Sequence, residues 1–429
     1  MRRANLLGPL ADRSFRHLWL AATTSSAGSA FVPVALAFAV LGIGGTATSL
    51  GVVLLVGTLA GLASFQIAGV WADRLSRRNL MLTADLLRLA VEVGVAVLLL
   101  TRTARIWELA VASALVAIGT SWEGPASMGL VAEIVAPEGL QSANSLLSIS
   151  NSGTAVIGPA LSGLLVATAG PGWAFVVDAL SFAGSALFLL RIRERRREPA
   201  PRQHFLAELA VGWREVTSRR WAWSTLIGNA FSNMVFAIFM VLGPVLALRR
   251  LGGASGWGLV SSGMTVGTLI SGLIAMWYRG RRPIAFGMWM TALTALPILA
   301  LAARLPVYLV IIAGVAGMIG VLVLNSNWDT AVQQVVPNEL LSRFRSYDFL
   351  LAFVAMPVGY AVAGPLQAAF GADRVLLACA VIAVLANAVP AMLPSVRAVV
   401  RHPDGTVTAP PPRARTMVSA EPDPASGST

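Results

Sequence analysis

Apolar residues fall along this chain in twelve blocks, near positions 17–41, 48–72, 79–101, 106–130, 139–168 and 172–191, then 221–248, 255–278, 283–303, 306–328, 343–369 and 374–395. Each block is about the 20 residues that a helix needs to cross a bilayer, so the pattern predicts an all-α membrane protein of twelve transmembrane helices in two sets of six. Polar, arginine-rich stretches separate the blocks. Residues 1–16 precede the first one. Residues 192–220 lie between the sets and read as a linker, in which Phe205, Leu209, Val211 and Trp213 are spaced for a short amphipathic helix at the membrane surface. The segment 396–429, with Pro410-Pro411-Pro412 and a small, polar end, cannot bury enough apolar surface to fold alone and reads as a disordered tail. Arg2-Arg3 ahead of an apolar stretch resembles an export signal, but the first block is too long for a signal core and a second follows at once.

The two sets repeat. Val135-Ala136-Pro137, Leu140 and Ser142 align with Val335-Val336-Pro337, Leu340 and Ser342, and Gly158, Gly163 and Gly170 align with Gly359, Gly364 and Gly371. A period of roughly 200 residues with six spans per copy makes two parallel halves, 17–191 and 221–395.

Composition agrees with this picture. The chain of 429 residues is 56% hydrophobic and 12% charged, with a mean hydropathy of +0.73, outside the range of soluble globular proteins. All 32 basic residues are arginines and the net charge is +12. With both termini in the cytoplasm, roughly 25 arginines fall in cytoplasmic segments and about 6 outside, with Arg88 left inside a span. That asymmetry accounts for the positive charge without nucleic acid. A single cysteine, Cys379, and three histidines, His17, His204 and His402, offer neither a disulfide nor a metal cluster, so no metal and no cofactor are expected. The chain has no lysine, hence no phosphate-cradling G-x-x-x-x-G-K-[ST] loop. Nor can a nucleophile, base and orienting group be assembled, so it is not read as an enzyme and ATP is not the driving force.

The turn between the second and third blocks reads G-x-x-x-D-R-x-x-R-R, in Gly69, Asp73, Arg74, Arg77 and Arg78. This turn resembles the motif carried by the major facilitator superfamily between its helices 2 and 3. The corresponding turn of the second half keeps Arg279, Arg281 and Arg282 but has Tyr278 where Asp73 would align. Ser14-Phe15-Arg16-His17-Leu18-Trp19, Asp85-Leu86-Leu87-Arg88, Gly158-Pro159-Ala160-Leu161-Ser162-Gly163 and Phe175 to Phe182 resemble the bacterial enterobactin-exporter-like and macrolide-efflux branch. Where that branch often has a basic residue after Pro125-Ala126, this chain has Ser127. The resemblance implies two pseudo-symmetric six-helix halves. The Gly-Pro element also resembles the motif that marks antiporters of the superfamily. Gly153, Gly158 and Gly163 recur every five residues and form no straight stripe, but with Pro159 they thin and bend a helix suited to gating.

Ionisable groups within a span are costly and therefore candidates for function. Asp85, Arg88 and Glu92 occupy i, i+3 and i+7 of one helix, hence one face, with Arg88 placed to reach both acids. Their surplus negative charge makes a proton site, with Glu92 the deeper acid. Glu123, beside Trp122 and Pro125, lies on a helix that the resemblance places at the central cavity, and is the first candidate for carrying a proton or a cationic substrate. Asp178 reads as structural, and Asp329 and Asp348 as interfacial partners of Arg343 or Arg345. The resemblance assigns substrate contact to helices 1, 4, 7 and 10. These offer Ser25 with Thr24 and Ser29, then Trp122, then Asn229, Asn233 and Phe236, then Asn325, Asn327 and Trp328. Scattered amides, hydroxyls and aromatics with few fixed charges suit a bulky amphipathic molecule.

The expectation is a monomeric, multi-pass protein of the cytoplasmic membrane with both termini inside. It would export a hydrophobic or amphipathic small molecule (a drug, siderophore or secondary metabolite) in exchange for protons. Its partners would be substrate, protons and the lipid bilayer, without nucleic acid. Import or facilitated passage of a small metabolite, or a sensor or scaffold that does not transport, are the alternatives.

Overall fold

The computed structural model describes residues 8–72, 76–192 and 216–411. In the first half, α1 (Arg13–Ser29) and α2 (Val32–Gly42) continue one another across a short break, followed by α3 (Ala47–Ala72), α4 (Arg77–Leu100), α5 (Ile106–Ile134), α6 (Leu140–Ala169) and α7 (Pro171–Leu189). The second half runs through α8 (Arg220–Arg250), α9 (Ala254–Trp277), α10 (Pro283–Thr291), α11 (Ala295–Ala302), α12 (Val307–Met318), α13 (Val321–Val335), α14 (Asn338–Phe353), α15 (Met356–Phe370) and α16 (Ala372–Met392). Several sequence blocks are thus broken helices, as at α1/α2, α10/α11 and α12/α13. Among the described residues, ten segments are long and apolar enough to cross a membrane. The other two of spanning length, α4 and α5, lie in the same bundle and carry Asp85, Arg88, Glu92 and Glu123 in their length. The expected linker helix, with His204, lies outside the described residues.

The repeat is written in the backbone. Arg102 follows α4 with φ 59° and Arg304 follows α11 with φ 57°, while Gly170 and Gly371, φ 93° and 80°, end α6 and α15 before the last span of each half. Arginine adopts positive φ at a cost, so the same unusual turn at matching places marks two copies of one plan.

Among the described residues, three cores divide the molecule. At the end that bears the termini, each half keeps its own: Phe15, Leu18, Leu80, Leu130 and Leu189 in the first, Trp221, Ile284, Trp328, Phe344 and Val396 in the second. At the opposite end one core spans both halves, joining Val34 to Val40 of α2 with Val235 to Leu246 of α8, Trp257 of α9 and Tyr360 of α15. The halves therefore close on each other at the end away from the termini. Two reciprocal pairs of glycines permit this. A Cβ at Gly51 would meet the Tyr360 carbonyl and one at Gly364 would meet Thr48; likewise Gly163 against Ala254, and Gly258 against the Pro159 carbonyl. Backbone cannot move aside as a side chain can. Gly258→Val is accordingly expected to weaken the closed end by about 1–3 kcal/mol, shifting the balance of states roughly 5- to 150-fold. Labelling of a cysteine introduced at Ala254 by an impermeant maleimide reads this; an unchanged labelling rate would show that the contact is not part of the seal.

The tail departs from expectation. Residues 394–411 are ordered: a short helix α17 (Pro394–Arg397) leads to an antiparallel pair, β1 (Val400–Arg401) and β2 (Val407–Thr408). Val399 and Val407 enter the second half's core. Arg401 donates to the Tyr278 carbonyl at 3.1 Å and to Asn327 Oδ1 at 2.9 Å, while its N–H donates to the Arg281 carbonyl and Val407 N–H to Gln334 Oε1. Burial lowers the Arg401 pKa from its ordinary value, with Arg279 adding to the shift. A segment too polar to fold alone is thus ordered by docking on a preformed surface.

Candidate functional site

At the start of α4, Ser76 caps the helix by accepting from Asn79 N–H, which points Arg77 and Arg78 at the neighbouring helix ends. Arg77 pairs with Glu133 of α5 at 3.0 Å, and Arg78 donates to the Ile192 carbonyl after α7 at 3.0 Å. Of the cationic turn, Gly69 lies in α3, and Asp73 and Arg74 fall outside the described residues.

Deeper along α4, the face formed by Asp85, Arg88 and Glu92 turns into the first half, where all three are buried. Arg88 joins Asp85 at 2.6 Å, as the spacing predicts. Its other arm goes elsewhere than expected: to Glu123 of α5 at 2.6 Å rather than to Glu92. Gly119 is the physical reason. A Cβ there would lie 3.0 Å from Arg88 Cγ, so the missing side chain makes room for the guanidinium stem against α5, and Glu123 stands one turn on. Asp85 also accepts from Ser185 of α7 at 2.6 Å, and Arg88 lies 4.3 Å over the Phe182 ring. Asp178 is as buried as Asp85 and accepts from Ser29 and Ser181. Ser181, Ser185 and Phe182 were missed by the sequence reading. Asp178, Ser181 and Ser185 at i, i+3 and i+7 repeat the spacing of Asp85, Arg88 and Glu92 on the facing helix, and that polar stripe was the available signal.

Four carboxyls thus surround one guanidinium. Asp85 and Glu123 hold it, Asp178 is satisfied on one oxygen by hydroxyls, and Glu92, 1% exposed, leaves Oε2 without a hydrogen-bond partner.

Two cavities meet at this cluster. One, of about 710 Å³, is the more polar: Ser25, Ser29, Asn151 and Thr154 line it, with Arg88 and Glu123 at its wall. The other, of about 430 Å³, is walled by aliphatic residues of α2, α3 and α5 with Phe175 and with Phe349 of the second half, and Glu92 is its only ionisable group among the described residues. Thr120 lines both. The volumes suit small organic ligands, and the contrast of walls suits a molecule with one polar and one apolar part.

The other expected contacts divide. Trp122 donates to Ser64 of α3 at 3.0 Å, Asn233 donates to the Ala352 carbonyl at 2.7 Å, and the Phe236 ring is tilted against Phe239 with centroids 6.4 Å apart. Asn229 is half-buried on the same face of α8 as Asn233, and Asn325 is exposed. Trp328 is not an open cavity wall: it is 7% exposed in the second half's core, between Trp221 and Phe344, and donates to Asp348. Of the two arginines expected to pair with Asp329 and Asp348, Arg345 meets both. The α6 glycines play three parts: Gly153 faces open space, Gly158 faces Ala30, and Gly163 faces the second half, with Pro159 offering its carbonyl to Gly258.

Comparison with known proteins agrees with the fold. A family model described as a transmembrane secretion effector matches residues 4–420. The multidrug efflux pump Tap of Mycolicibacterium fortuitum is 28% identical over 396 residues, covering 88% of this chain and 95% of that protein. The enterobactin exporter EntS of Citrobacter koseri is 29% identical over 232 residues, covering 51% of this chain and 54% of that one. Among solved structures, an inward-facing bacterial homologue of the iron transporter ferroportin superposes with a TM-score of 0.71 at 17% identity, over 89% of this chain and 99% of that one. An inward-facing bacterial homologue of the lysosomal transporter Spinster gives 0.69 at 16%, over 90% and 97%.

Proposed function

Because this chain belongs to the transmembrane secretion effectors of the major facilitator superfamily, and is therefore a multi-pass membrane transporter, we propose that it is a proton-coupled exporter of hydrophobic or amphipathic small molecules, working by alternating access. One observation carries the proposal: a more polar and a more apolar cavity share Thr120 and adjacent turns of α4, with three buried carboxyls, the half-buried Glu123 and one guanidinium between them. The relatives whose names describe multidrug efflux and enterobactin export support the outward direction. In this reading the terminus-bearing end, with its excess of arginines, faces the cytoplasm. With the halves closed at the opposite end, the state described is the one that loads from inside.

In this reading the apolar part of a substrate occupies the aliphatic cavity, and its polar part lies toward Ser25, Ser29 and Asn151. Glu92 carries the coupling proton. Glu123, the first candidate from sequence, is held by Arg88, so a proton would reach it only by displacing an ion pair. Glu92 has no such partner to release. A proton there changes the net charge of the cluster one turn from Arg88, and so can favour one state over the other, which is what coupling requires.

The direct test is accumulation of lipophilic cations, macrolides and siderophores in cells with and without the protein, each with and without a protonophore. Export predicts lower accumulation of at least one class only when the protein and the proton gradient are both present. Equal accumulation throughout, or uptake that depends on the protein, would reject it.

A further inference from the structure

In the second half, at the terminus-bearing end, α10 lies beside α16 and α17. A cavity of about 490 Å³ opens between them. Its rim carries Arg282 and Arg397, both exposed, and its floor is made by Tyr278, Phe286, Trp289 and Met392. Tyr278 and Phe286 stack face to face, with centroids 4.0 Å apart and planes 8° from parallel, so the wall is a flat aromatic surface.

No acid among the described residues compensates the charge of the rim. Among the described residues, neither Arg282 nor Arg397 pairs with an acid, and the same holds for Arg279 and Arg281 beside them. The acid nearest in sequence, Asp404 of the tail, accepts from Thr406 N–H and Oγ1, which together hold its carboxyl below the usual range. The Arg77 turn of the first half differs, having Glu133 as its counter-charge.

The position of the cavity relative to the bilayer follows from its aromatics. Trp277, 83% exposed, ends α9 beside the rim, where indoles gather at headgroup level. Trp289, 45% exposed, stands seven residues beyond Arg282, about 10 Å deeper along the helix. A cationic rim at the interface above an aromatic and thioether floor at acyl depth fits an anion with a hydrocarbon tail. A free phosphate would use the rim and leave the floor bare.

We propose that this cleft is a binding site for an anionic phospholipid of the inner leaflet. Its phosphate is held between Arg282 and Arg397, and an acyl chain lies over Phe286, Trp289 and Met392. The docked tail completes the site. Arg401, bonded to the carbonyls of Tyr278 and Arg281 and to Asn327, fixes the segment that carries Arg397.

The test uses the full chain in neutral detergent, titrated with phosphatidylglycerol, phosphatidylcholine or inorganic phosphate, with retained lipid counted by native mass spectrometry. Phosphatidylglycerol should bind selectively, and Arg282→Gln with Arg397→Gln should weaken it roughly fivefold per arginine, about thirtyfold for both. A control of Arg16→Gln with Arg191→Gln removes two exposed arginines at the same end of the first half and should leave binding at this cleft unchanged. Trp289→Ala should shorten lipid retention without touching the rim. Equal retention of phosphatidylcholine, equal protection by inorganic phosphate, or a loss in the control as large as in the rim variant would each overturn the proposal. None of these readouts depends on transport, so the result stands apart from that of the export test.

Discussion

Arg88→Ala is expected to cost the fold about 3–5 kcal/mol, the penalty for leaving buried carboxylates without their counter-ion. Arg88 is 2% exposed and lies 2.6 Å from both Asp85 and Glu123. Alanine would leave both acids, with Asp178 and Glu92 nearby, facing a cavity with no cation in it. Against a total stability of about 5–15 kcal/mol, such a loss should remove most folded protein from the membrane. Size-exclusion profiles and thermal unfolding of the detergent-extracted protein measure this. A second variant separates charge from packing: Arg88→Leu combined with Asp85→Asn and Glu123→Gln removes cation and partner charges together, and should recover most of the lost stability. If Arg88→Ala unfolds at the wild-type temperature, the cluster does not hold α4 to α5 and α7 as described.

Glu92→Gln should give the opposite result: normal folded yield with transport uncoupled. The amide is nearly isosteric, and Glu92 Oε2 has no hydrogen bond or ion pair to lose. Gradient-driven export should fall about 5- to 150-fold, the span of typical coupling free energies, and the residual flux should no longer respond to external pH. Glu123→Gln is the comparison. It breaks the 2.6 Å pair with Arg88 and should lower stability along with transport. Efflux from preloaded vesicles at imposed pH differences, normalised to folded protein, distinguishes the two. Full pH response in the Glu92 variant would remove this residue from the proton path and return Glu123 to first place.

The helical plan of the molecule was legible because membrane insertion is decided locally. A block of apolar residues either spans or does not, and the repeat at matching positions made the two halves visible before any contact was known. The two long helices interrupted by intramembrane charge, α4 and α5, are informative in themselves, since those charges form the cluster. Asp85 and Arg88 were paired correctly because one turn of helix separates them. The pairing of Arg88 with Glu123 was not legible, since helical spacing offered Glu92 as the nearer acid. Its cause is the absence of a side chain at Gly119, whose effect appears only when α5 is laid against α4. Trp328 was misplaced for a related reason: periodicity shows that a helix has faces, but not which neighbour each face meets.

The amino-acid sequence by itself therefore determined the spans, their grouping into halves, the family and the identity of the intramembrane charges. These are properties of local composition and of chain order. Tertiary structure alone decided that Arg88 also takes Glu123, that Glu92 Oε2 is left without a partner, where the two halves touch through glycine, and that residues 394–411 of the tail are ordered. Each of these depends on groups 35 or more residues apart meeting at hydrogen-bond or van der Waals distance. Such meetings are set by how helices pack, and no single stretch of chain encodes them.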